Sequence, residues 1–230
     1  MKSTFLIAAI CIGFSVGRPA ESMIEEEFAK YQMTPEKISD ILKAYEHYKE
    51  FIPESVYNIL ANLSDETKAQ IAQMINDYHS GKFETPKDVN GLLSIIKKDY
   101  PLISPAATGI NDFYRQKLAL LGPKAQELFN KWEAQGYADA NPDKILWACH
   151  LFNNIPTIVS ELQGLLQDSD EAEKIDEQFP ELQKFLHSKE YEAYTIVVKQ
   201  MKTLDCEKDR DQVFNTIKLF DMHNVLTTKE

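Results

Sequence analysis

The chain has 230 residues, a formal net charge of −11 at neutral pH and a mean hydropathy of −0.37. A chain with this acidic excess repels nucleic acid backbones and anionic membrane surfaces, which argues against nucleic acid as a partner. Its 8 glycines are few for its length, and lysine, glutamate, alanine and leucine are abundant. This composition predicts a helical protein.

The first 17 residues have the pattern of a secretory signal peptide. Lys2 supplies a positive charge, residues 5–14 form an apolar run, and small residues lie three and one positions before a cut after Gly17. The run is shorter than the roughly 20 residues that cross a hydrocarbon core. We therefore expect a secreted, extracellular mature chain (residues 18–230) without a permanent membrane anchor, and transient membrane contact stays open. The alternative is a buried N-terminal helix.

Capping residues and glycines divide the chain into short helices. Four capping residues come directly before a proline, which is favourable at the first helical position; they are Thr34, Thr85, Ser104 and Asn141. Ser64 is expected to begin another helix, and three glycines are expected to end helices; they are Gly81, Gly122 and Gly136. Between these points the apolar spacing is helical, which predicts a single compact all-α domain of about ten short helices.

The acidic stretch 167–173 is the least apolar part of the chain. Such a stretch is typical of a boundary between a main domain and a further segment. In that case residues 168–230 form a C-terminal helical extension. A solvated surface helix within the main domain explains it equally well.

Two cysteines, Cys149 and Cys206, follow the predicted signal peptide. In an oxidising compartment an even number permits one disulfide, and two buried thiols are the alternative. Asn62 begins the sequence Asn-Leu-Ser, which predicts a glycosylation site. Because Ser64 also has the position of a helix cap, the match to the sequon can be incidental.

The sequence contains no recognisable catalytic or metal-binding motif. Its 5 histidines are scattered without the spacing of metal ligands. A nucleophile elbow, a glycine loop for phosphate and a calcium-binding loop are also missing from the sequence. We therefore expect no enzymatic activity, no catalytic residues, no metal and no cofactor.

Three short motifs carry a resemblance to a known family. Residues 51–54 read Phe-Ile-Pro-Glu, residues 63–69 read Leu-Ser-Asp-Glu-Thr-Lys-Ala, and residues 121–125 read Leu-Gly-Pro-Lys-Ala. In this order and spacing, from Tyr48 to about Ala134, the segment resembles the secreted fatty-acid- and retinol-binding proteins of nematodes. The resemblance implies a helical domain with an internal apolar cavity that binds fatty acids and retinol without a cofactor.

The apolar stripes supply candidates for residues that line such a cavity, with a cation near the lipid head group. The predicted ligand-binding residues are Ile71, Ile75, Leu93, Ile96, Lys98, Phe113, Arg115, Leu118, Leu121 and Phe129. The main hypothesis is a secreted lipid carrier. The alternative is a secreted helical protein-interaction module or effector whose core is fully packed.

Overall fold

A computed structural model describes residues 32–200 and 203–213. Within these ranges the chain forms ten α-helices, one 3-10 turn (Lys49–Phe51) and no strand, and residues 210–213 are also helical, which confirms the all-α prediction. The helices are α1 (Pro35–Glu46), α2 (Glu54–Ala61), α3 (Asp65–His79), α4 (Val89–Asp99), α5 (Ser104–Ala119), α6 (Pro123–Ala138), α7 (Lys144–Leu165), α8 (Ser169–Gln178), α9 (Pro180–Leu186) and α10 (Lys189–Gln200).

Two of the predicted helix starts are correct and two lie too early. The hydroxyls of Thr34 and Ser64 accept backbone N–H groups at the starts of α1 and α3. By contrast, α4 and α7 begin after Asp88 and Asp143, whose carboxylates cap them, and not after Thr85 and Asn141. An aspartate is as good a cap as threonine or asparagine, and it does not need an adjacent proline. Helix α5 does begin at Ser104, but no side chain caps it.

Of the three glycines predicted to end helices, only Gly81 does so. It follows the last turn of α3 with a φ of 71°, a conformation that favours glycine. The other two predictions are wrong. Gly122 precedes α6 as its N-terminal cap, and Gly136 lies inside that helix.

Helix α7 is the longest element of the described chain, with 22 residues. It contains Pro156, which has no N–H to donate within the helix and usually bends or ends it. The chain nevertheless continues as one helix, because both halves of α7 pack on neighbours. Ile145, Phe152 and Ile155 join one apolar cluster, and Leu165 joins another.

The main hydrophobic cluster joins α2 to the helices α5–α8. It contains Val56 from α2, Tyr114 from α5, Trp132 from α6 and Ile175 from α8, together with Phe179. Ile175 and Phe179 have 0% and 1% of their surfaces exposed. The start of the region considered as a C-terminal extension therefore packs into the same core as α2 and α6.

A second cluster joins α7 to α10 and to the segment 203–213. Cys149 and Cys206 form a disulfide there, with Cα atoms 5.6 Å apart and a sequence separation of 57. Asn153 supports it: its amide nitrogen donates to the Leu204 carbonyl at 2.9 Å, and its amide oxygen accepts from the Leu204 N–H at 2.9 Å.

The predicted signal peptide (1–17) and residues 214–230 lie outside the described residues. Within the described part, none of the helices has the length and apolarity needed to span a membrane. Asn62 is exposed at the end of α2, and its amide nitrogen donates to the Asn58 carbonyl at 2.7 Å. Its glycosylation stays a prediction.

Candidate functional site

A pocket of about 290 Å³ lies between α3, α6 and α7, and it is partly open to solvent. The connection after α3 and the start of α4 complete its wall with Phe83, Pro86 and Leu92. The residues that α7 contributes share one face of that helix, because they recur at steps of three and four. They are Trp147, Leu151, Asn154, Thr157, Ile158 and Glu161.

The inner wall of the pocket is apolar and aromatic. Met74 and Ile75 from α3 and Trp132 and Tyr137 from α6 are buried, each with 5–7% of its surface exposed. Trp147 is half-buried on α7. The chain has 2 tryptophans, and both line this pocket.

A row of polar side chains borders the pocket where α6 and α7 meet. Glu161 accepts from the Lys131 ammonium and from the Trp132 indole N–H, the latter at 2.6 Å. Asp139 accepts from the Gln135 and Asn154 amides at 2.8 and 2.5 Å. The Lys131 ammonium and the Trp132 N–H hold the pKa of the Glu161 carboxyl below its usual value, so Glu161 is ionised at neutral pH.

His79 is the last residue of α3 and lines the pocket. Its Nδ1 lies 2.8 Å from the Pro142 carbonyl oxygen, which can only accept, so Nδ1 carries the proton of this bond. Burial lowers the pKa of His79, although Pro142 and Asp143 act in the opposite direction. The ring is therefore neutral at neutral pH and Nε2 is a hydrogen-bond acceptor.

One of the ten predicted ligand-binding residues, Ile75, lies on the wall of this pocket. Five others belong to or pack around the apolar clusters near it. Leu121 and Phe129 are buried in the main cluster, and Phe113 and Leu118 pack against it. Ile96 is fully buried in a cluster with Met74, Tyr100 and Ile103.

The remaining four predicted residues also lie away from the lining of the pocket. Ile71 packs against two apolar clusters, one that includes residues of α1 and one that includes Ile96 of α4. Leu93 is half-buried on α4. Lys98 is exposed beside Asp99, with 3.9 Å between the charged atoms, and Arg115 pairs with Glu133 at 2.5 Å. Neither of the two predicted head-group cations therefore lies on the pocket.

The pocket residues that sequence reasoning did not select include both tryptophans, Leu151, His79 and Glu161. A usable signal existed in Met74, Ile75 and Tyr78, which form the apolar stripe of α3, and in Trp132 on α6. The stripes do not show which apolar residues face a space and which face each other, because both kinds recur with the same helical period.

Comparison with protein-family models matches residues 46–200 to the nematode fatty acid retinoid binding protein family, Gp-FAR-1. The match covers more than half of the chain and includes every residue of the pocket. The chain belongs to this family. Comparison with curated proteins and with solved structures finds no match. The family name refers to the ligands that its members bind and not to a reaction. Among the residues that the structure describes, no group of acidic, histidine or cysteine side chains is arranged to hold a metal ion.

Proposed function

We propose that this Gp-FAR-1 protein is a secreted, non-catalytic carrier that binds fatty acids and retinol in the pocket between α3, α6 and α7. The observation that carries the proposal is an aromatic pocket of about 290 Å³ within the region that matches the family. Secretion is supported by the signal-peptide pattern of residues 1–17.

The volume sets how much of a lipid the pocket can hold. A methylene group occupies about 30 Å³, similar to a water molecule in the liquid, so the pocket holds roughly ten methylene groups. Their burial at about 0.8 kcal/mol each contributes on the order of 8 kcal/mol before the cost of association. A longer chain extends through the open side of the pocket.

Native mass spectrometry of the mature protein, before and after delipidation, tests this function. We expect bound lipid in the first sample and one added retinol or oleate per chain in the second. Absence of bound lipid, together with absence of retinol or oleate binding after delipidation, would contradict the carrier function. Expression of the full chain in secreting cells, followed by N-terminal sequencing of the medium, tests the cut after Gly17.

A further inference from the structure

The pocket contains an excess of negative charge. Among the described residues that line it, Lys131 is the single cationic side chain, whereas Asp139 and Glu161 are both carboxylic acids. Lys144 acts electrostatically on the buried ring of His79 but is not part of the lining. A lipid carboxylate that comes near Glu161 therefore meets one carboxylate and one ammonium, and a lipid carboxylate that comes near Asp139 meets another carboxylate.

The ammonium group of Lys131 is already paired with Glu161. Lys131 Nζ donates to Glu161 Oε1, and Trp132 holds the other oxygen of the same carboxylate at 2.6 Å. Glu161 has 26% of its side chain exposed. A ligand carboxylate that took over Lys131 would leave this half-buried charge without its cation, and removal of one partner from such a pair is costly.

The lining of the pocket also contains several acceptors. Glu161 and Asp139 present carboxylate oxygens, and the neutral ring of His79 has Nε2 as an acceptor. A hydroxyl can donate to any of these atoms, whereas an ionised carboxylate can only accept and therefore finds no match among them. The excess of negative charge and these acceptor atoms favour an uncharged head group that can donate a hydrogen bond.

We infer that the pocket selects lipids with an uncharged hydroxyl head group over lipids with a carboxylate, and that Glu161 sets this preference. The inference rests on the proposed lipid-binding function and adds the chemical class of the preferred ligand. Fatty acids still bind through their chains, with the carboxylate turned toward solvent at the open side.

The test compares two pairs of ligands that share a chain and differ in the head group: oleyl alcohol with oleate, and retinol with retinoate. At neutral pH we expect the delipidated protein to bind each alcohol about fivefold or more tightly than its acid, the size of one partly exposed charge interaction. Glu161→Gln keeps an acceptor for Trp132, removes the negative charge and releases Lys131. It should bring the two affinities of each pair to within about twofold.

Glu173→Gln is the matched control, because it makes the same change of charge at an exposed position of α8 outside the pocket. It should leave the ratio unchanged. Equal or tighter binding of the acids by the unmodified protein would overturn the preference, and an unchanged ratio in a folded Glu161→Gln protein would overturn the role of Glu161. In both cases lipid binding itself would stand, whereas failure of all four ligands to bind would remove the proposed function.

Discussion

The carboxylate of Glu171 lies where a side chain on Gly122 would have to be. Both of its oxygens accept backbone N–H groups at the start of α6, from Lys124 and Ala125, each at 3.1 Å. A Cβ atom added at Gly122 would overlap this carboxylate. The contact explains the glycine of the Leu-Gly-Pro-Lys-Ala motif, because Glu171 caps α6 from another helix and needs the space that the missing side chain leaves.

Gly122→Ala should lower the free energy of unfolding by about 1–3 kcal/mol, because the methyl group displaces Glu171 from α6. The backbone at Gly122 has a φ of −66°, which alanine adopts freely, so the loss comes from the overlap. Gly164→Ala is the control, since nothing lies within 4 Å of its added Cβ inside α7. It should raise stability by up to about 1 kcal/mol. Equal urea midpoints for the two variants would contradict this account.

Removal of the Cys149–Cys206 disulfide should lower the stability of the mature protein by up to about 4 kcal/mol, because the bond closes a loop of 57 residues in the unfolded chain. The double variant Cys149→Ala/Cys206→Ala and the unmodified protein are compared by thermal unfolding with and without reductant. We expect reductant to lower the midpoint of the unmodified protein alone. A midpoint that is independent of reductant in both proteins would show that the bond does not stabilise the fold.

His79 should make the protein less stable in mild acid. Burial holds the pKa of His79 below its unfolded value of about 6.5, so below that pH the unfolded chain binds the proton more readily. The stability is therefore complete above pH 6.5 and falls as the pH decreases toward the folded pKa, by at most about 1.4 kcal/mol per pH unit.

Urea unfolding across this pH range measures the slope. His79→Gln retains a donor for the Pro142 carbonyl and should remove this part of the slope. His187→Gln, at an exposed position of the chain, should leave it intact. A slope that is the same in all three proteins would place its origin in other groups.

Intrinsic fluorescence should report directly on ligand binding, because both tryptophans of the chain line the pocket. Retinol should quench Trp132 and Trp147 by energy transfer. In each single Trp→Phe variant the remaining tryptophan should still be quenched at the same retinol concentration. Quenching that is lost with one substitution and unchanged with the other would place the ligand outside the pocket.

Much of the fold could be predicted from the sequence because local signals determine it. Ser64 and Thr34 cap helices as expected, and a proline or glycine breaks the pattern where the chain turns. The exceptions have physical causes. Position 122 is a glycine because the carboxylate of Glu171, 49 positions away in sequence, occupies the space of a side chain there. Pro156 is accommodated inside α7 because both halves of this helix pack on neighbours.

The site could be predicted far less well. Ile75 lies on the pocket, whereas Phe129 belongs to a packed cluster and Phe113 packs against it, although all three recur with the same helical period. Arg115 pairs with Glu133 and lies outside the lining of the pocket. Which face of a helix borders a space depends on contacts between helices that are distant in sequence, and no local pattern records them.

The most direct test of the central claim is retinol binding by Leu151→Asp, measured by energy transfer from the tryptophans after delipidation. Leu151 is half-buried on the α7 wall of the pocket, so a carboxylate there should weaken binding at least tenfold while the far-UV circular dichroism stays helical. Leu120→Asp, at a position 61% exposed and outside the pocket, should bind retinol normally. Unchanged affinity in a folded Leu151→Asp protein would contradict the assignment of the lipid site.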